Sequence, residues 1–132
     1  MTIKILLDHD IEGFDVFIKA GLRETGWDQD FDFEFLRLRD LGLPDDCKDR
    51  EIWRRCQQDG LLLLTQNRNS DDETSLQITI ERENSPTSLP VITVGDAERL
   101  RAADYRQEVA NGIATVLVYL DHYRGAGRAF VP

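Results

Sequence analysis

Two aspartates near the start of the chain have a spacing that suits the binding of a metal ion. Asp8 and Asp10 are separated by one residue and follow directly on a short apolar run, residues 3–7. Carboxylate oxygens are the ligands that hard divalent cations such as Mg²⁺ prefer, and two carboxylates so placed can approach one cation. A second interpretation needs no ligand, because aspartate also favours helix starts: Asp10 would cap the next helix and Asp8 would fix the turn.

Apolar runs alternate with helical patterns along the 132 residues, which predicts a single α/β domain over residues 1–132. The predicted strands are residues 3–7, 31–38, 61–64 and 91–94, with a last edge strand at 128–131. The predicted helices are residues 11–25, 49–58 and 70–83, and a final one from 97 to about 124. This order predicts a three-layer sandwich, in which helices flank a mainly parallel central sheet of four to five strands.

Polar residues follow the carboxyl ends of three predicted strands. Asp8 and Asp10 follow the first strand, Thr65 and Asn67 follow the leucine-rich strand, and Asp96 follows the fourth. Ligands of parallel sheets bind beyond the carboxyl ends of the strands. We therefore expect these side chains to share one cleft.

Charge and cysteine content narrow the classes of function. The formal net charge of −9, from 25 acidic and 16 basic residues, argues against strong non-specific binding to nucleic acid. A metal-dependent nuclease stays compatible with it, because such enzymes concentrate carboxylates at the metal. Cys47 and Cys56 are the only cysteines, too few for a zinc site, and are expected to be free thiols. No apolar run is long enough for a signal peptide or a membrane span, so we expect a cytoplasmic protein without membrane contact.

Four stretches in the first 70 residues resemble a small group of the PIN-like domain family. They read KILLD at 4–8, DLGL at 40–43, DREI at 49–52 and LLLLT at 61–65, in the order and spacing of that group. The resemblance implies a PIN-like fold and a ribonuclease site, where acidic side chains hold one or two Mg²⁺ or Mn²⁺ ions that activate water against a phosphodiester. It also implies single-stranded RNA as a substrate. Many relatives are toxins of toxin–antitoxin pairs, which implies an antitoxin-like protein partner.

The resemblance can be carried over residue by residue. It implies that Asp8 is the acid of the first strand and Asp49 the acid at the start of the second long helix, and that both are catalytic. The metal ligands expected from these arguments are Asp8, Asp10, Asp49, Asn67 and Asp96. One departure concerns the family motif Thr-x-Asp-x-Asp-Phe, which here reads TQNRNS at 65–70, so that Asn67 and Asn69 replace two acids. An amide oxygen can ligate a cation but adds no charge, so the site belongs either to a weak nuclease or to a relative that has lost catalysis.

Two other functions stay open. The acids after the first strand, Thr65 and Asp96 also resemble, in order, three motifs of haloacid-dehalogenase-like phosphohydrolases, although no lysine follows Lys48 to neutralise a phosphorylated aspartate. The other function is a non-catalytic protein-interaction module, either a homodimer or the partner of another protein. The acidic surface and the missing acids favour this module.

Basic and histidine side chains are weaker candidates for functional residues than the acids are. Arg54, Arg55 and Arg68 could form a basic rim for a phosphate backbone, but Arg54 and Arg55 fit the solvated face of the second long helix equally well. His9, between the two acids, and His122 lack a partner motif, which is typical of surface or packing residues.

Overall fold

Five parallel strands form one sheet at the centre of the computed structural model, which describes residues 2–66 and 74–132. The strands are β1 (Thr2–Leu7), β2 (Asp32–Leu36), β3 (Leu62–Gln66), β4 (Val91–Val94) and β5 (Arg128–Phe130). They lie in the order β2-β1-β3-β4-β5, and every neighbouring pair is parallel. The predicted α/β class and the parallel sheet are confirmed, including the edge strand at its far side.

Helices connect the strands. They are α1 (Asp15–Thr25), α2 (Trp27–Asp30), α3 (Asp49–Asp59), α4 (Thr74–Glu83), α5 (Ala103–Val118) and α6 (Leu120–Tyr123). Short 3-10 turns occupy His9–Ile11, Leu38–Leu41 and Ala97–Arg101. Within the described ranges, none of these helices has the length and apolar content needed to cross a lipid bilayer.

Several boundaries differ from the sequence expectation. Strand β3 extends to Gln66 rather than ending at residue 64, so Thr65 lies within the strand and not after it. The first long helix begins at Asp15 rather than at residue 11, because Gly13 has a φ of 93°, which ends the preceding 3-10 turn. Strand β2 ends at Leu36, and Leu38 already belongs to the next 3-10 turn. Residues 97–101 form a 3-10 turn that leads into α5, so the final helix is shorter than predicted. The predicted start of α4 at Ser70 lies outside the described residues.

Side chains of β1 and β3 alternate between the two faces of the sheet, and each face is covered by helices. On one face, Leu64 is packed in a buried cluster with Ile18 of α1 and Ile113 of α5. On the other face, Leu63 is packed with Trp53 of α3 and with residues of α4. A strand buried on both faces needs apolar residues at consecutive positions, which explains the run of leucines at 61–64.

The order of the strands leaves a crevice beside β1. From the carboxyl end of β1 the chain turns through α1 on one face to reach β2, and from the carboxyl end of β3 it continues to α4 on the opposite face and then to β4. The two connections therefore diverge at the carboxyl ends of β1 and β3. In open parallel sheets this divergence is where ligands bind.

Candidate functional site

A threonine hydroxyl lies between two carboxylates at the β1/β3 crevice. The backbone N–H of Asp8 donates to the Leu64 carbonyl over 2.9 Å, which continues the pairing of β1 with β3. Thr65, the fourth residue of β3, then has its Oγ1 3.1 Å from Asp8 Oδ2 and 3.1 Å from Asp10 Oδ2. A hydroxyl carries one proton and can donate to only one of the two carboxylates at a time.

The role of helix cap falls to Asp8 and not to Asp10. Asp8 accepts a hydrogen bond of 2.7 Å from the His9 N–H and so caps the 3-10 turn at His9–Ile11. Asp10 instead turns toward β3, where the Gln66 N–H lies 3.3 Å from its Oδ2. Helix α1 begins after Phe14 without a side-chain cap. The structure therefore brings Asp8 and Asp10 together, as the ligand interpretation requires.

Burial makes Asp8 an unusual carboxylate. Its exposed fraction is 7%, and the loss of solvation raises the pKa of its carboxyl from the ordinary 3.8 to about 6. The charge of Asp10 raises this pKa further and that of Asp49 adds a smaller contribution, while the His9 N–H and the Thr65 hydroxyl oppose the shift. Near neutral pH, the site therefore holds a buried negative charge that faces other negative charges.

Asp49 belongs to the same electrostatic environment. It is the first residue of α3, and its half-buried carboxylate is near enough to raise the pKa of Asp8. Among the residues that the structure describes, however, no three His, Cys, Asp or Glu side chains are grouped closely enough to hold one metal ion. The catalytic role of Asp8 and Asp49 stays a prediction.

Asp96 lies at the same edge of the sheet but after β4. Its carboxylate accepts a hydrogen bond of 3.1 Å from the Glu98 N–H and caps the turn at Ala97–Arg101. Strands β1 and β4 are separated by β3, so their ends are offset by about 10 Å across the sheet. Asn67 and Asn69 lie outside the described residues, so their place in the site, like the metal role of Asp96, stays a prediction.

Gln66 connects the Asp8 and Asp10 pair with the turn that follows β4. It was not identified as a candidate from the sequence. Its backbone N–H faces Asp10, and its side-chain Oε1 accepts a hydrogen bond of 2.8 Å from the Ala97 N–H. The glutamine thereby links the end of β3 to the turn after β4. No sequence signal distinguished this residue, because a single glutamine at a strand end is common on any surface.

The two arginines of α3 that the sequence suggested as a basic rim are paired with acids outside the site. Arg54 forms two hydrogen bonds, of 2.7 and 3.0 Å, with the carboxylate of Glu83, and Arg55 binds Asp59 over 2.6 Å. These arginines belong to the solvated face of α3, and Arg68 lies outside the described residues. Sequence reasoning overlooked two other arginines, which form the pattern Arg-Leu-Arg directly after β2 at 37–39.

Those two arginines line a cavity beside the carboxylate pair. It has a volume of 470 Å³, and its lining residues are His9, Glu12, Gly13, Arg37, Arg39 and Asp45. His9 stands between Asp8 and Asp10 in the chain, so one wall of the cavity comes from the same turn that carries the pair. The segments that follow β1 and β2 thus place Glu12 and the two arginines in one cavity.

The donor atoms of the pair fit a magnesium-type cation. In proteins, Mg²⁺ keeps several water ligands and is held by one or two carboxylates together with substrate phosphates. Asp8 and Asp10 supply two carboxylates, and the hydroxyl of Thr65 bridges them. Asp49 adds negative charge nearby.

Comparisons of this chain with known proteins gave no match. No protein-family model matches the chain, and searches among curated proteins and solved structures found no match. The PIN-like resemblance and the functions considered for the chain therefore rest on its motifs and on the geometry of the site.

Proposed function

We propose that this chain is a PIN-like phosphodiester hydrolase that uses Mg²⁺ or Mn²⁺ and cleaves single-stranded RNA. The observation that carries the proposal is the pair formed by buried Asp8 and half-buried Asp10, which share the Thr65 hydroxyl at the β1/β3 crevice. Two neighbouring carboxylates, one of them shielded from water, destabilise each other's charge, and a bound cation would offset that cost. A cytoplasmic location, expected from the sequence, is part of the proposal.

The side chains of the site would have distinct roles. A bound divalent cation lowers the pKa of a coordinated water and neutralises charge on the phosphodiester. Asp8 and Asp10 would hold this cation, and Thr65 would keep their carboxylates in register by donating its proton to one of them. Asp49, at the start of α3, would accept the proton of the attacking water.

The amides at 67 and 69 should make the site weak. Relative to the family motif, the chain has lost two negative charges that would help to concentrate the cation. Activity should therefore need a higher concentration of Mn²⁺ than a site with acids at both positions. The double variant with Asn67→Asp and Asn69→Asp should cleave faster at a low concentration of Mn²⁺.

A cleavage assay on single-stranded RNA with Mn²⁺ tests the proposal. We expect the wild type to cleave, the Asp8→Asn variant to be inactive and the Asp30→Asn variant to retain wild-type activity. Asp30 is a suitable control because it is an exposed acid at the end of α2, next to the amino-terminal end of β2 and across the sheet from the site. Equal cleavage by the wild type and Asp8→Asn, or none by either, would contradict the nuclease.

The second candidate is a non-catalytic interaction module, either a homodimer or one bound to an antitoxin-like partner. It is favoured by one observation: no group of three potential metal-ligating acids, histidines or cysteines occurs among the described residues. If the chain is such a module, calorimetry with Mn²⁺ should give no saturable heat, and the Asp8→Asn variant should behave like the wild type. A saturable site that disappears in Asp8→Asn would exclude a purely structural role for this carboxylate.

A further inference from the structure

The cavity beside the carboxylate pair contains two arginines whose positive charge is only partly used by the protein. Arg37 Nε lies 3.8 Å from Glu12 Oε1, a long ion pair. The other oxygen of Glu12, Oε2, lies 3.7 Å from His9 Nδ1, so this acid is shared between two partners. Arg39 is exposed and has no ion pair with an acid in residues 2–66 and 74–132.

We propose that Arg37 and Arg39 bind a second phosphate group of the substrate strand, next to the phosphodiester that lies at Asp8 and Asp10. This inference rests on the proposed function, because it assigns the neighbouring part of the same site. A planar guanidinium can donate two parallel hydrogen bonds to phosphate oxygens, which a single ammonium cannot do. The cavity volume of 470 Å³ leaves room for a phosphate and its sugar.

The negative charge of the protein favours such a subsite. The chain has a net charge of −9, and the carboxylate pair itself repels a phosphate backbone. Directed positive groups beside the acids would let a strand approach in one register. Glu12 and Asp45 also line the cavity, so its net charge is small and the arginines must act by directed hydrogen bonds.

The subsite also defines the class of substrate. A molecule that binds both at the carboxylate pair and at the two arginines must carry at least two phosphate groups joined along one chain. A single phosphate ester would occupy only the metal side, and it would lose the contribution of the arginines. The structure therefore favours a polynucleotide strand over the small phosphate esters that a phosphohydrolase of the haloacid-dehalogenase type would take.

Glu12 should act as a competitor for the phosphate. Its carboxylate lies 3.8 Å from Arg37 Nε, and both residues line the same cavity. Removal of this acid should free the guanidinium and strengthen binding, whereas removal of either arginine should weaken it. A general loss of folding would weaken binding in every variant, so it would not raise the affinity at one position and lower it at its neighbours.

Binding of a fluorescein-labelled oligouridylate, measured by anisotropy in EDTA so that no cleavage occurs, tests this inference. We expect Arg37→Gln and Arg39→Gln each to weaken binding by about two- to fivefold, the range of an exposed ion pair. Each should also reduce the slope of log affinity against log salt by about 1. Glu12→Gln should tighten binding.

Two control variants separate local contacts from a change in net charge. Arg23→Gln removes an exposed cation in the last turn of α1, and Glu108→Gln removes an exposed acid of α5. Neither residue lines the cavity, so these variants should shift the affinity less than their counterparts. The inference is overturned if Arg37→Gln and Arg39→Gln match Arg23→Gln, or if Glu12→Gln matches Glu108→Gln.

The same variants distinguish failure of the subsite from failure of the nuclease. If cleavage depends on Asp8 but neither arginine affects binding, the proposed function stands and the subsite is wrong. If the arginines affect binding but no cleavage occurs, the subsite stands and the chain binds its strand without cutting it.

Discussion

Replacement of Asp8 by asparagine is expected to stabilise the fold at neutral pH, although Asp8 is buried and hydrogen-bonded. Its carboxyl has a pKa raised from 3.8 to about 6, chiefly by burial and then by the charge of Asp10. Each unit of pKa corresponds to about 1.4 kcal/mol between the two protonation states. The ionised carboxylate therefore lowers the free energy of unfolding by up to about 3 kcal/mol above pH 6.

The pH dependence of this effect follows from the direction of the shift. Well below pH 3.8, Asp8 is protonated in both the folded and the unfolded chain, and its charge has no effect on stability. Between 3.8 and about 6 the unfolded chain loses this proton while the folded chain keeps it, so stability falls as the pH rises. Above that range both states are ionised, and the loss is complete.

Asparagine should recover much of this loss. Its carbonyl oxygen can still accept the hydrogen bond from the His9 N–H, and its amide can donate to the Thr65 hydroxyl oxygen. The Thr65 hydroxyl keeps Asp10 as an acceptor. With about 1 kcal/mol allowed for imperfect hydrogen bonds, we expect a gain of about 2 kcal/mol near neutral pH, or roughly 7 °C in Tm.

Urea unfolding in EDTA, followed from about pH 4 to about pH 8, measures this effect. Wild-type protein, Asp8→Asn and the control Asp30→Asn should be compared in parallel. The Asp8→Asn variant should be no more stable than the wild type at the acid end, where only the cost of imperfect hydrogen bonds remains, and about 2 kcal/mol more stable at the neutral end, and Asp30→Asn should follow the wild type throughout. A difference that does not change with pH, or an Asp8→Asn variant that is less stable at neutral pH, would refute the reasoning.

Other residues give further tests. Thr65→Val removes a hydroxyl that holds the pKa of Asp8 down, so carbon NMR should find that pKa above its wild-type value; an unchanged value would mean that the hydroxyl does not reach Asp8. Gly21→Ala would place a Cβ 2.5 Å from an α5 carbonyl oxygen, so urea unfolding should reveal a loss of about 2 kcal/mol, and a neutral result would contradict the close packing of α1 on α5. Burial raises the pKa of Cys47 to about 11 and that of Cys56 to about 12, so both thiols should react slowly with iodoacetamide in the folded protein at mildly alkaline pH; rapid labelling would contradict this.

The sheet could be predicted because its strands have strong local signals. The leucines at 61–64 are buried on both faces, and the run of apolar residues that this requires is visible in the sequence. Helices between the strands then imply parallel pairing and right-handed crossovers. The meeting of Asp8 with Thr65 follows from the same rule, since both stand at carboxyl ends of strands.

The parts that could not be predicted depend on contacts between distant segments. Arg37 reaches Glu12 because β2 pairs with β1, and no local pattern specifies which strands become neighbours. The burial of Asp8, which changes its pKa, likewise depends on how the surrounding elements pack. The delay of α1 to Asp15 comes from the backbone of Gly13, whose positive φ the helical pattern of the sequence does not reveal.

Calorimetric titration of the wild type and the Asp8→Asn variant with Mn²⁺ is the most direct test of the central claim, that the carboxylates at the β1/β3 crevice hold a divalent cation. The account predicts one saturable site in the wild type near neutral pH, weaker binding below pH 6 as Asp8 gains a proton, and no such site in the variant. A wild type without saturable heat, or a variant that binds Mn²⁺ as tightly as the wild type, would contradict it.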